Sequence, residues 1–277
     1  MNLLPFSWHL SELVVIVGAE VALQFTGLSS KQRKQSIGAL LALLIVTVWP
    51  VGDLAASVSL TVATIQRLVI MLLVAPLLLL SLPTSLLVTM TKPRIVDAVL
   101  RRLTHPGVAI VTVLVLGTAT LSVPVVDAGA HSQLTRELIL LVVLLTGFLL
   151  WMPAINVLPG AKRLSPAGRG GYLFGSSLVV TSLSFIWIFS LHPLYSGLHH
   201  QKQLVHMSAL FDQQMAGFVA KGLCYFPLWI VAFVIFSRAE ESGVPVEESP
   251  LYWADVERQL LRIDRQRERA VRRHKPQ

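Results

Sequence analysis

The chain has 277 residues, 54% of them hydrophobic and 14% charged, with a formal net charge of +8 and a mean hydropathy of +0.67. That balance argues against a soluble domain, which at this length would rarely bury so much apolar surface. A single cysteine, Cys224, excludes an intrachain disulfide and any metal site built on paired cysteines.

Apolar stretches follow one another at about 8–27, 36–54, 56–81, 107–126, 135–157, 172–191 and 215–237. Each is close to the ~20 residues that cross a ~30 Å hydrocarbon core. A segment in lipid must satisfy its own backbone hydrogen bonds, so each is expected to be a helix. The fold class expected is therefore an all-α membrane protein. Seven transmembrane helices occupy 1–237, and a basic tail occupies 238–277.

The first segment opens on MNLLPFSWHL, which lacks a basic n-region, so no cleaved signal peptide is expected. Glu20 then lies inside span 1, in VIVGAEVALQF. The following loop carries Lys31, Arg33 and Lys34, and span 2 closes on Asp53. Span 3 holds Arg67 and continues as RLVIMLLVAPLLLLSLP, with Pro76 and Pro83. Lys92, Arg94, Arg101 and Arg102 fill the next loop. Span 5 opens beside Arg136 and Glu137 and ends at Trp151–Pro153. Lys162, Arg163 and Arg169 precede span 6, and Lys221 lies in span 7. Asp53, Arg136 and Glu137 read as wetted interfacial residues, with Arg136 able to pair with either acid.

All of the 23 Lys and Arg residues except Arg67, Arg136, Lys202 and Lys221 fall on one side of this alternation. Positive charge in short loops marks the cytoplasmic face. The N-terminus is therefore expected outside and the C-terminus inside. Topology and attraction to anionic inner-leaflet lipid account for the net charge, with no nucleic acid required. In the tail, Ser249-Pro250 has the form of an N-cap and first-turn proline, and LYWADVERQLLRIDRQRERAVRRH follows. Leu251, Val256, Leu260 and Ile263 recur at helical steps, which points to a basic amphipathic helix on the cytoplasmic membrane surface.

Ionisable groups inside a bilayer cost roughly 2.5–3.5 kcal/mol each on insertion scales. At ~1.5 Å per residue, Glu20 and Arg67 lie about twelve and about eleven residues from the same face, so an ion pair between them is expected. Lys221 either snorkels outward or joins the same polar patch.

Of eight histidines, His9, His131, His192, His199, His200 and His206 lie outside or at the outer boundary in this topology. His192, His199, His200, His206, Met207 and Asp212 form a candidate metal set in the last outer loop. Imidazole, thioether and carboxylate are sensible copper ligands, and the thioether favours Cu(I). The competing reading is a polar loop whose histidines never converge. No bis-histidine arrangement suits haem, and no Gly-rich phosphate loop, HExxH or Ser/His/Asp set is present. No catalytic residue is assigned.

The proline-bearing run of span 3, the GFLLWMP end of span 5, and HPLYSGLHH followed by ALFDQQMAGFVAKGLCYF occur in that order. Taken together they resemble the CtaG family of seven-helix cytochrome c oxidase assembly factors, over about 8–237. The motif residues are Pro76, Pro83, Trp151, Pro153, Asp212, Gln213, Gln214 and Gly217. The resemblance implies a non-enzymatic assembly or accessory factor for a haem–copper oxidase in a bacterial plasma membrane. Its partners would be oxidase subunits or other assembly factors, and its associated metal copper. The chain departs from the family pattern where span 3 typically opens with two histidines four apart. Ala63 and Arg67 stand there, and Arg67 and Lys221 place positive charge where a cation would bind. Glu137 stands near where span 5 of the family usually carries a histidine. The alternatives from other classes are a small-solute or metal-ion transporter and a structural subunit of a membrane complex.

Overall fold

The computed structural model describes residues 10–48, 51–57, 59–156, 164–195 and 207–241. Helices dominate, and no strand occurs among the described residues. In chain order they are α1 (Leu10–Gln24), α2 (Ser30–Thr47), α3 (Val51–Ser57), α4 (Leu60–Val69), a π-helical turn (Ile70–Val74) and α5 (Ala75–Ser81). There follow α6 (Thr84–Met90), α7 (Arg94–Leu103), α8 (Pro106–Thr120), α9 (Val123–His131), α10 (Gln133–Ile155), α11 (Pro166–Val180), α12 (Ser182–Phe189) and α13 (Ala209–Glu241).

Leu60–Ser81, Gln133–Ile155, Pro166–Phe189 and Ala209–Ala239 are long and apolar enough to cross a membrane. They coincide with the stretches expected at 56–81, 135–157, 172–191 and 215–237. The protein is a multi-pass membrane protein. The other expected spans lie in shorter helices. Among the described residues α1 has 15 residues. The 18 residues of α2 include Lys31, Arg33 and Lys34, and the helix ends just before Pro50, a residue type that disfavours helix in what precedes it. The 15-residue α8 starts at Pro106 and is bent by 86° from α7, because proline at a first helical position cannot extend the helix before it. The N-terminal stretch through His9, the loop with His199, His200 and His206, and the expected tail helix lie outside the described residues.

The π-helical turn follows from Pro76. The Ala75 N–H reaches back to the Ile70 carbonyl, one residue beyond α-helical register. That leaves the Met71 carbonyl without Ala75 as donor, and Pro76 has no N–H to offer. The indole Nε1–H of Trp151, on α10, donates to that carbonyl at 3.1 Å. Gly147 makes the approach possible. A Cβ there would lie 2.7 Å from Ala75 Cβ and 3.0 Å from the Met71 backbone.

Other carbonyls at helix ends are closed by side chains, as they must be where water is scarce. Buried Gln66 donates to Val46 O at the end of α2 (2.7 Å), and Arg169 donates to Ala154 O at the end of α10. Tyr172 Oη donates to Leu150 O at 2.9 Å.

The main core joins Ile70, Met71, Leu79, Val113, Leu150, Trp151, Leu173 and Leu228. A second cluster contains Leu60, Val126, Trp187, Tyr195 and Ala216. Helix α13 shows what solvent the fold is built for. Ala216, Ala220, Cys224, Leu228 and Ala232 recur every four residues and are buried. Phe226, Ile230 and Phe233 are 71%, 61% and 72% exposed. Small residues let helices approach closely while large apolar ones face outward, the arrangement suited to lipid.

Candidate functional site

Asp212, Gln213, Gln214 and Gly217 fasten the start of α13 to other segments at one end of the bundle. Asp212, in the first turn of α13, is 7% exposed. Its carboxylate accepts from Ser59 Oγ (2.7 Å), Leu60 N (2.6 Å) and Thr61 N (3.2 Å), and Thr61 Oγ1 donates to its backbone carbonyl at 2.9 Å. Asp212 thus closes the N-terminus of α4 from a distant part of the chain. It supplies acceptors to orphan N–H groups and a negative charge to the positive end of the helix dipole.

Gln213 and Gln214 fix the segment after α12. Leu194 N–H donates to Gln213 Oε1 at 2.7 Å, and Gln214 Nε2 donates to Ser190 O at 3.3 Å. Gly217 allows α13 to meet α12, since a Cβ there would stand 2.7 Å from Ile188 Cγ1 and 2.9 Å from Ser184 O. Tyr195 completes the lock. Its phenol donates to Leu121 O (2.7 Å) and accepts from Trp187 Nε1 (3.2 Å), with the two rings edge-to-face at 6.0 Å. Burial pushes the Tyr195 phenol above its usual pKa, outweighing the opposite pulls of the Trp187 hydrogen bond and the nearby Arg67 charge. It therefore remains a donor at physiological pH.

Beneath this lock lies a cavity of about 80 Å³. Arg67, Thr64, Thr146, Thr181, Ser184 and Trp187 contribute to its wall. A second, of about 40 Å³, shares Arg67 and adds Arg136. Arg67 keeps some accessible surface as a residue, yet its Nη1 is enclosed and has no hydrogen-bond partner.

The expected ion pair between Glu20 and Arg67 does not form. The Glu20 carboxylate accepts from Ser36 Oγ on α2 at 2.6 Å and from Gln24 one turn along its own helix. Matching depth in two helices fixes one coordinate only, and the rotation of each helix about its axis decides which neighbour a side chain meets. Arg136 makes no ion pair with either acid proposed for it, and its Nε is buried without a partner. Lys221 does not join Glu20 and Arg67. Its Nζ sits 3.3 Å from the centroid of the Phe185 ring and 3.3 Å from Tyr225 Oη, a cation–π arrangement.

Of the candidate metal set, His192 is exposed and Met207 lies just before α13. Asp212 is turned to the helix cap, and no group of three or more His, Cys, Asp or Glu could hold a metal among the described residues. His199, His200 and His206 lie outside the described residues. The described residues around Arg67 do not suit a cation, because the polar groups there are a guanidinium and hydroxyls with no carboxylate or imidazole.

A model of the cytochrome c oxidase caa3 assembly factors (Caa3_CtaG) matches residues 36–241. The chain belongs to that family. No curated protein and no solved structure matches it. The matched region begins after α1 and contains Arg67, Trp151 and the Asp212–Gly217 run. This assembly factor thus keeps Trp151, Asp212, Gln213, Gln214 and Gly217 in contacts that hold its segments together. Sequence reasoning missed the roles of Ser59, Gln66 and Arg136. Ser59 alone carried a local signal, as a serine opening a helical run.

Proposed function

We propose that the protein is a non-enzymatic factor that acts within the membrane while a caa3-type cytochrome c oxidase is assembled. It does so by contact with oxidase subunits or with other assembly factors. The observation that carries this reading is the family match over residues 36–241. The proposed topology is seven spans in a bacterial plasma membrane, N-terminus outside. It is supported by the four long apolar helices and by the segregation of Lys and Arg in the sequence. The end of the bundle closed by Asp212, Gln213 and Tyr195 is held by buried and partly buried hydrogen bonds, and that rigidity suits a surface on which a client subunit is held.

Deletion of the gene, followed by oxidase activity and reduced-minus-oxidised spectra of the membranes, tests the reading. Loss of assembled caa3 oxidase, restored by the intact gene, is expected. Normal amounts of active oxidase in the deletion strain would refute it. Copper handling is a finer part of the proposal and rests on His192, His199, His200, His206 and Met207, without Asp212. Metal analysis of purified protein, with the four histidines changed to alanine, reads it separately. Unchanged copper content removes the loop as the metal site.

A further inference from the structure

We infer that the space between Arg67 and Arg136 is a binding site for a phosphate-type oxyanion. The cavity of about 40 Å³ is walled by residues of α3, α4, α9 and α10, among them Leu60, Ala63, Val126 and Ile139. Its charged groups are the two arginines. Arg67 Nη1 and Arg136 Nε are both buried, and neither has a hydrogen-bond partner. Arg67 and Arg136 form no ion pair among the described residues, and the acids on the surrounding helices, Asp53, Asp127 and Glu137, do not line the cavity.

Two guanidinium groups facing one space within helices of membrane-crossing length are costly. Each loses solvation, and the like charges repel. Guanidinium is not deprotonated in proteins, so the charge persists. A bound anion removes both costs at once. The planar donor fork of arginine matches the oxygens of phosphate or carboxylate, and phosphate offers the most acceptors to two such forks. The size agrees. At about 10–15 Å³ per water-sized group, the cavity holds a few oxygens and no bulkier body. Arg67 also lines the larger cavity of about 80 Å³, which leaves room beside the anion for whatever carries it. The phosphate belongs either to a free anion or to a phospholipid headgroup.

The test uses the full-length protein in nanodiscs and reads the unfolding midpoint. In one arm, discs of digalactosyldiacylglycerol, a bilayer lipid without phosphate, receive inorganic phosphate, with chloride at matched ionic strength as control. In the other, the discs contain phosphatidylglycerol and no free phosphate. At a ligand concentration 100-fold above Kd, a shift of about 5–10 °C is expected in at least one arm. A shift with inorganic phosphate identifies a soluble anion, and one with phosphatidylglycerol alone identifies a headgroup. Arg67→Gln and Arg136→Gln should each abolish it. If a glutamine variant does not fold, Arg67→Lys and Arg136→Lys keep the charge without the fork and should reduce the shift. No shift in either arm for the unaltered protein, or an undiminished shift in the substituted proteins, overturns the proposal. The readout does not involve the oxidase, so its failure leaves the assembly role untouched.

Discussion

Replacement of Asp212 separates two readings of the same carboxylate, as a helix cap and as a metal ligand. In Asp212→Ala, Leu60 N and Thr61 N lose their acceptor, and Ser59 Oγ loses the group to which it donates. A buried donor left unsatisfied costs about 1–3 kcal/mol. Loss of the negative charge at the helix start adds about 0.3–1 kcal/mol. Cap substitutions by alanine typically cost about 0.5–2 kcal/mol where water takes over. At 7% exposure water has little access, so the expected loss is about 3 kcal/mol. With about 2–4 °C per kcal/mol for chains of this size, the unfolding midpoint falls by about 6–12 °C.

Asp212→Asn retains one acceptor oxygen and gives up the charge, so its loss is intermediate, about 1–2 kcal/mol. The assay is thermal unfolding in detergent, followed by soluble monomer recovered on size exclusion, with copper content measured on the same samples. A midpoint for Asp212→Ala within about 1 °C of the unaltered protein would refute the cap, given the scale of the expected shift. Loss of copper from Asp212→Asn with unchanged stability would restore the carboxylate to the metal set.

Three further outcomes follow from the helix contacts. Trp151→Phe strands the Met71 carbonyl and should cost about 1–3 kcal/mol; Pro76→Ala in the same chain offers a new N–H and should recover part of that loss, as a double-mutant cycle on unfolding midpoints would show. Gly147→Val should destabilise by about 1–3 kcal/mol or prevent folding, because its Cβ would meet Ala75 Cβ at 2.7 Å; yield and midpoint after purification check it. Lys221→Met exchanges a cation held over Phe185 for an apolar side chain of similar length and should be neutral or stabilising by up to about 1 kcal/mol, since insertion cost offsets the cation–π gain; a midpoint several degrees lower would show that the charge is structurally required.

The long helices were legible in the sequence because an uninterrupted apolar run satisfies the bilayer condition by itself. Segments 8–27, 36–54 and 107–126 were less so. Pro50 falls inside 36–54, and within 107–126 α8 stops at Thr120, just before the Ser122 cap and Pro124 that open α9. The partner of a charge was not legible, as Glu20 shows. Its acceptor oxygen meets Ser36, a residue that periodicity reads as an unremarkable loop-proximal serine. The Asp212–Gly217 run was recognisable as a motif, but its contact with Ser59 and Leu60 spans more than 150 positions of sequence. Pro76 announced a missing N–H; only the fold could bring Trp151 to the carbonyl that the missing donor exposed.

The polar contacts divide in a way that bears on function. Asp212, Gln214, Trp151 and Tyr195 each join segments far apart in the chain, and each supplies a backbone group lacking a local partner. In a medium without water such groups cost several kcal/mol when left open, so these contacts are constraints on packing and gain little from any ligand. Arg67 and Arg136 differ, because their buried N–H groups satisfy nothing in the fold. Removal of a side chain from the first set should lower stability whatever is bound. Removal of Arg67 or Arg136 relieves repulsion in the empty protein and should lower stability only when an anion is present. The sign of that difference, read with and without phosphate, assigns a residue to the frame or to the site without reference to the oxidase it serves.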